Sequence, residues 1–115
     1  MSLLKRARNR FTSSHRELKV RFEEEVYKLF RKPDNPEDSP MYITYINYAL
    51  STNERGESIA KTVSEYVSLP RKSFLDIGTA YGGYVVAFAR RGCNPYLGVD
   101  IDERLIRLAK LLIRA

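Results

Sequence analysis

The chain has 115 residues, 43% hydrophobic and 30% charged, and its 20 Lys plus Arg against 14 Asp plus Glu leave a formal charge of +6. This composition excludes the disordered and fibrous classes and fits one soluble domain of ordinary size. Cys93 is the only cysteine, which excludes an intrachain disulfide and a cysteine-based zinc site; no apolar run follows the basic residues of the first ten positions, so neither a signal peptide nor a membrane span is expected and the setting reads as cytoplasmic.

The charge is divided. Residues 1–32 carry ten basic and four acidic side chains, 33–66 carry two and six, and 67–115 carry eight and four. A basic N-terminal segment and a basic C-terminal third thus flank an acidic middle, which makes a weak nucleic-acid footprint rather than one stripe. Contact with phosphates through Lys5, Arg6, Arg8, Arg10, Arg16 and Arg21 is one reading of the first segment, and a solvated helical face is the commoner one.

Residues 1–32 read as a basic helical segment. Ser14 followed by Glu17 fits a capping box, and Leu18, Phe22, Val26, Leu29 and Phe30 recur at helical spacing, which predicts a helix over 15–31. Residues 33–40, with three prolines, form a linker. Residues 41–70 read as a helical lead-in. Ser39-Pro40 opens a short helix to Leu50, whose Tyr42, Tyr45 and Tyr48 stripe reads first as core packing, with a ligand pocket or base stacking as the alternative. Ser51 and Glu54 suggest a second capping box, and Ile59, Val63 and Val67 mark the expected buried side of a third helix that Leu69-Pro70 ends.

From residue 71 to 115 the pattern changes to strand, helix, strand, helix. Phe74-Leu75-Asp76-Ile77 is a short apolar strand, Gly78 to Gly83 a glycine-rich turn, and Tyr84 to Arg91 a helix closed by Gly92. Tyr96-Leu97-Gly98-Val99 is a second strand, after which Asp102 caps a helix carrying Leu105, Leu108, Ala109 and Leu112. Two apolar strands joined by a helix are expected to lie parallel.

A glycine-rich turn between strand and helix lets backbone approach a ligand, and a carboxylate ending the next strand suits a ribose diol. Asp100 lies 22 residues after Gly78, close to the usual offset of roughly 20. As a dinucleotide fingerprint the turn is degenerate, because Ala80 replaces the central glycine and Asp76 would repel a pyrophosphate. A nicotinamide dehydrogenase is therefore the weaker nucleotide reading.

The same residues resemble the first motif of the class I S-adenosylmethionine-dependent methyltransferases, acidic-x-Gly-x-Gly-x-Gly, here Asp76-Ile77-Gly78-Thr79-Ala80-Tyr81-Gly82, departing only at Ala80. Gly98-Val99-Asp100-Ile101-Asp102 is similar to that family's second landmark. The resemblance covers 73–113 and implies an α/β fold: N-terminal helices followed by the first two βα units of a Rossmann-like methyltransferase sheet, incomplete within this chain. It implies S-adenosyl-L-methionine as cofactor, with Asp100 on the ribose hydroxyls, Ile101 against adenine and Asp76 near the amino-acid moiety. Gly78, Thr79, Ala80 and Gly82 would form the turn beside it.

The family's sheet has seven strands, so this chain is expected to be the front portion of a longer protein, or to be completed by another chain, with uncovered apolar surface and marginal stability alone. The methyl acceptor and the catalytic residues are not legible. A nonenzymatic nucleic-acid or protein interaction module built on the basic helix is the alternative function. His15 reads as solvated and Cys93 as a turn residue, since neither has a neighbour in sequence that would activate it.

Overall fold

The computed structural model describes residues 2–30, 33–35 and 39–114, with side chains from residue 16 onward within those ranges. The first helix, α1 (Ser2–Leu29), runs 28 residues and passes through Ser14 without interruption. The expected start at 15 is thereby corrected. A capping box marks a helix start only where the preceding backbone leaves helical space, and residues 2–13 contain no glycine or proline to make it leave. The side chains of Lys5, Arg6, Arg8, Arg10, Ser14 and His15 lie outside the described residues, as do Pro36, Glu37 and Asp38 of the linker. Arg16 and Arg21 are exposed.

The apolar side of α1 packs as its spacing predicts. Phe22 and Val26 are buried, with Leu29 and Phe30 partly buried beside them. Lys28 pairs with Glu25 at 3.1 Å, an exposed i,i+3 contact of little energetic weight.

Helix α2 (Pro40–Leu50) has proline in its first turn, as Ser39-Pro40 indicates. Its buried residues, however, are Ile46 and Ala49. Tyr45 and Tyr48 remain about half exposed, which corrects the expectation of a tyrosine core stripe. Ile46 and Ala49 fill the core and Tyr42 packs partly buried against it, while Tyr45 and Tyr48 keep contact with water, as amphipathic rings do at a surface.

Helix α3 (Thr52–Ser64) carries a second correction. Thr52, Gly56 and Ala60 form its buried side, while Ile59 is exposed and Val63 only partly buried; the helix ends at Ser64, short of the expected Leu69-Pro70, and leaves Val67 exposed beyond it. The reason is a close helix approach: a Cβ on Gly56 would collide with the Gly83 carbonyl, and a Cβ on Gly83 would collide with Thr52. Small residues let two backbones meet where larger apolar ones would hold them apart. The Ser51 capping box does not form; its hydroxyl donates back to the Tyr48 carbonyl and accepts from Arg55 Nε.

The remaining elements match their expected places. Strands β1 (Phe74–Ile77) and β2 (Tyr96–Val99) pair in parallel, with Phe74, Leu75, Asp76 and Ile77 opposite Tyr96, Leu97, Gly98 and Val99. Helix α4 (Gly83–Arg90) joins them and α5 (Glu103–Arg114) follows. The chain is therefore a mixed α/β structure of five helices and a two-stranded parallel sheet among the described residues. None of these helices is long and apolar enough to cross a membrane.

Helix α4 organises the packing. On one side Ala87 and Phe88 meet Ala60, Leu69 and Cys93, and Phe74 of β1 stacks on Phe88 at 4.1 Å between ring centroids. On the other, Val86 joins Phe22, Val26, Ile46, Tyr81, Leu108 and Leu112 in a cluster shared by α1, α2, α4 and α5. Fully burying a side chain such as Val26 or Val85 contributes about 1.5–3 kcal/mol. The Cys93 thiol is buried and donates to the Leu69 carbonyl at 3.4 Å.

One sheet face is covered and the other is not. Phe74 and Asp76 face the helices, whereas Leu75, Ile77, Leu97 and Val99 are exposed, Ile77 at 79%. Parallel sheets are ordinarily buried on both faces, so this uncovered apolar face agrees with the expectation drawn from the sequence.

Candidate functional site

The site is built where both strands end. Gly78 and Thr79 donate their backbone N–H groups to the Val99 carbonyl at 2.8 and 2.9 Å, so the turn leaving β1 folds over the end of β2. Three of its residues have left-handed backbone: Gly78 at φ 77°, Ala80 at φ 49° and Gly82 at φ 78°. The alternation explains the glycines at 78 and 82. At Gly82 space is also short, because a Cβ would stand 3.0 Å from that of Ala109 on α5. At Gly78 nothing lies within 4 Å of the Cβ position, so its exposed backbone borders open space.

Ala80 occupies a conformation that favours glycine. We expect Ala80→Gly to stabilise the protein by up to about 1 kcal/mol, because relief of the left-handed strain outweighs the added chain entropy. Denaturant unfolding measures this directly, and a loss of stability would contradict the strained backbone.

Asp100 locks the turn. Its Oδ2 accepts the Ala80 N–H at 2.9 Å and its Oδ1 accepts the Asp102 N–H at 2.8 Å. One half-buried carboxylate thus joins the glycine turn to the segment that starts α5, and each oxygen retains a lone pair for another donor. Asp102 caps α5 by accepting the Arg104 N–H at 2.9 Å, and its two oxygens take the Arg104 guanidinium in a fork at 3.1 and 2.9 Å.

The structure brings Gly78, Thr79, Ala80, Gly82 and Asp100 together at the carboxyl ends of the strands. Asp76 lies on β1, two residues before Gly78, half-buried and paired with Gly98. Ile101 is fully exposed beside Asp100. Thr79 turns inward: its hydroxyl is buried without a hydrogen-bond partner among the described residues, in a space that opens because Gly98 has no side chain. It serves the turn through its backbone.

A neighbouring feature corresponds to the alternative reading of the α2 tyrosines as the lining of a pocket. A cavity of about 500 Å³ lies between the end of α1, α2, the turn and the start of α5, walled by Phe30, Tyr45, Tyr48, Ala80, Tyr81 and the Asp102–Arg104 pair. The tyrosine spacing on α2 was its visible signal; Tyr81 stands at an unspecified motif position, and nothing in sequence pairs Phe30 with α2. Phe30 stacks on Tyr45 with centroids 5.6 Å apart, Tyr81 meets Phe22 and Tyr48 edge to face, and the Arg55 guanidinium covers the Tyr48 ring at 3.6 Å.

Burial pushes the Tyr81 phenol above its ordinary value, with Tyr48 and Asp102 adding to the shift and Arg55 and Arg104 opposing it. The Arg104 hydrogen bond holds Asp102 below the usual carboxylate range. At neutral pH these two groups are therefore a protonated donor and an ionised acceptor. Because the folded state favours the neutral Tyr81 phenol, its contribution is complete below the unfolded value of about 10 and is lost as pH rises beyond it through the folded value. We expect an ultraviolet pH titration to show a phenol ionising above the ordinary range, and Tyr81→Phe to remove that step.

A scan against protein-family models finds no match, and searches of curated proteins and of solved structures return no significant match either.

Proposed function

We propose that this chain is an S-adenosylmethionine-dependent methyltransferase of class I, or its cofactor-binding N-terminal portion, with its two βα units as the start of a Rossmann-like sheet. The observation that carries the reading is the turn from Gly78 to Gly82, left-handed at three positions and tied to the carboxylate that ends β2. Ligands of open parallel sheets bind outside the carboxyl ends of strands, where backbone can approach them.

The residues present fit the cofactor. Open space adjoins Gly78, the Asp100 carboxylate is already oriented by two backbone donors, and Ile101 offers a bare apolar surface next to it. Asp100 would accept from the ribose hydroxyls, Ile101 would cover one face of adenine, and the backbone of Gly78 and Ala80 would run beside the amino-acid moiety. Asp76 would favour its ammonium group, directly or through the turn. When bound, the sulfonium supplies an electrophilic methyl group: the acceptor atom forms its bond to carbon as the sulfur–carbon bond breaks, and the acceptor proton leaves to solvent. The protein contributes placement and electrostatics, which suffice for an in-line displacement. The exposed face of Leu75, Ile77, Leu97 and Val99 supports further chain, from this or another polypeptide, covering the sheet.

Titration calorimetry with S-adenosylhomocysteine tests the reading. Saturable one-to-one binding is expected, and no heat of binding at millimolar ligand would overturn it.

A further inference from the structure

We infer that the cavity beside the turn is a binding site for an uncharged planar aromatic molecule, the acceptor of the methyl group; the acceptor role rests on the reading above, while the binding does not. Three observations choose this chemistry.

First, the walls are flat and mostly apolar. Tyr45 and Tyr48, on successive turns of α2, are about half exposed, and Phe30, stacked on Tyr45, extends the aromatic wall. Half-exposed rings that line a cavity offer faces and edges on which another ring packs. A cavity of about 500 Å³ suits a small molecule of a few rings.

Second, the charges are already matched. Asp102 is forked by Arg104, and the Tyr48 ring already carries the Arg55 guanidinium. A cation therefore finds the carboxylate already paired and has to share the Tyr48 ring with Arg55, and an anion must compete with Asp102. An uncharged ligand carrying one or two polar groups meets the Asp102 carboxylate as acceptor and the Tyr81 phenol as donor without breaking the ion pair.

Third, the cavity shares Ala80 and Tyr81 with the turn that Asp100 holds. A molecule seated there lies against the same backbone that is proposed to carry the cofactor, as two reactants in one displacement require.

The test uses the full chain with 2-naphthol and indole as probes and cyclohexanol as a non-aromatic control, followed by calorimetry, with S-adenosylhomocysteine titrated separately. Both aromatic probes are expected to bind at least tenfold more tightly than cyclohexanol. Tyr45→Ala and Tyr48→Ala should each weaken them at least tenfold while leaving S-adenosylhomocysteine binding within twofold. Tyr45 is exposed enough that its truncation should preserve the fold, which circular dichroism checks. No probe binding at millimolar concentration, equal binding of cyclohexanol, or unchanged binding in both variants would overturn the site while the cofactor reading stands. Probe binding without S-adenosylhomocysteine binding would overturn the acceptor role together with that reading.

Discussion

Gly56→Ala is expected to destabilise the protein by about 2–3 kcal/mol, although the substitution lies inside a helix where alanine is the better former by about 1 kcal/mol. The sign reverses because of packing. Gly56 on α3 lies against the Gly83 carbonyl at the start of α4, and an added Cβ has only backbone to push on. Neither helix can yield a side-chain rotamer, so the helices must separate. Separation opens the cluster of Ala60, Ala87 and Phe88 that holds α3 and α4 to the sheet. For a chain of this size the loss corresponds to a fall in Tm of roughly 8–15 °C. Gly83→Ala should behave likewise, since its Cβ would meet Thr52. Gly78→Ala is the informative contrast: it has open space, so only left-handed strain acts against it, and the chain entropy it removes offsets part of that, leaving a cost of up to about 1 kcal/mol. Thermal unfolding of the three variants orders them, and an unchanged or raised Tm for Gly56→Ala would refute the close approach of α3 and α4.

Asp100→Ala is expected to act on stability and on binding at once. Its carboxylate accepts two backbone N–H groups, from Ala80 and Asp102, and hydrogen bonds to a charged acceptor contribute about 1.5–3 kcal/mol each. The site is only half-buried, so water replaces part of the loss, and a net cost of about 2–3 kcal/mol is expected. Removing the lock frees Ala80, while Gly78 and Thr79 stay bonded to the Val99 carbonyl at the end of β2. S-adenosylhomocysteine affinity should fall at least tenfold, since both the proposed ribose acceptor and the shape of the turn are lost. Denaturant unfolding and calorimetry separate the two effects. Reduced stability with affinity unchanged for the folded fraction would leave Asp100 as a structural lock and remove it from the ribose.

The two strands were legible to the residue, because each is a short apolar run closed by a turn signal: Phe74–Ile77 before Gly78, and Tyr96–Val99 before Asp100. The glycine turn was legible for a related reason. Left-handed backbone at 78 and 82 leaves few residues but glycine, so conformation is written into residue type. The capping role of Asp102 was local too, spanning two residues. Reading failed where two local partners compete for one group, or where the deciding partner is distant in sequence. The Ser51 hydroxyl goes to Tyr48 and Arg55 instead of capping α3, and the α2 tyrosines border a cavity closed by the ends of α1 and α5.

The sequence by itself determined the strand–turn–helix order, the glycine positions of the turn and the carboxylate that ends the second strand, since these depend on interactions over a few residues. Only the tertiary structure decided that Thr52, Gly56 and Ala60, rather than Ile59, form the buried face of α3, and that Asp100 fastens Ala80 across a separation of twenty residues. Periodicity measures which faces are apolar. How near two backbones come is set by the volume between them, and that quantity exists only once both helices are in place.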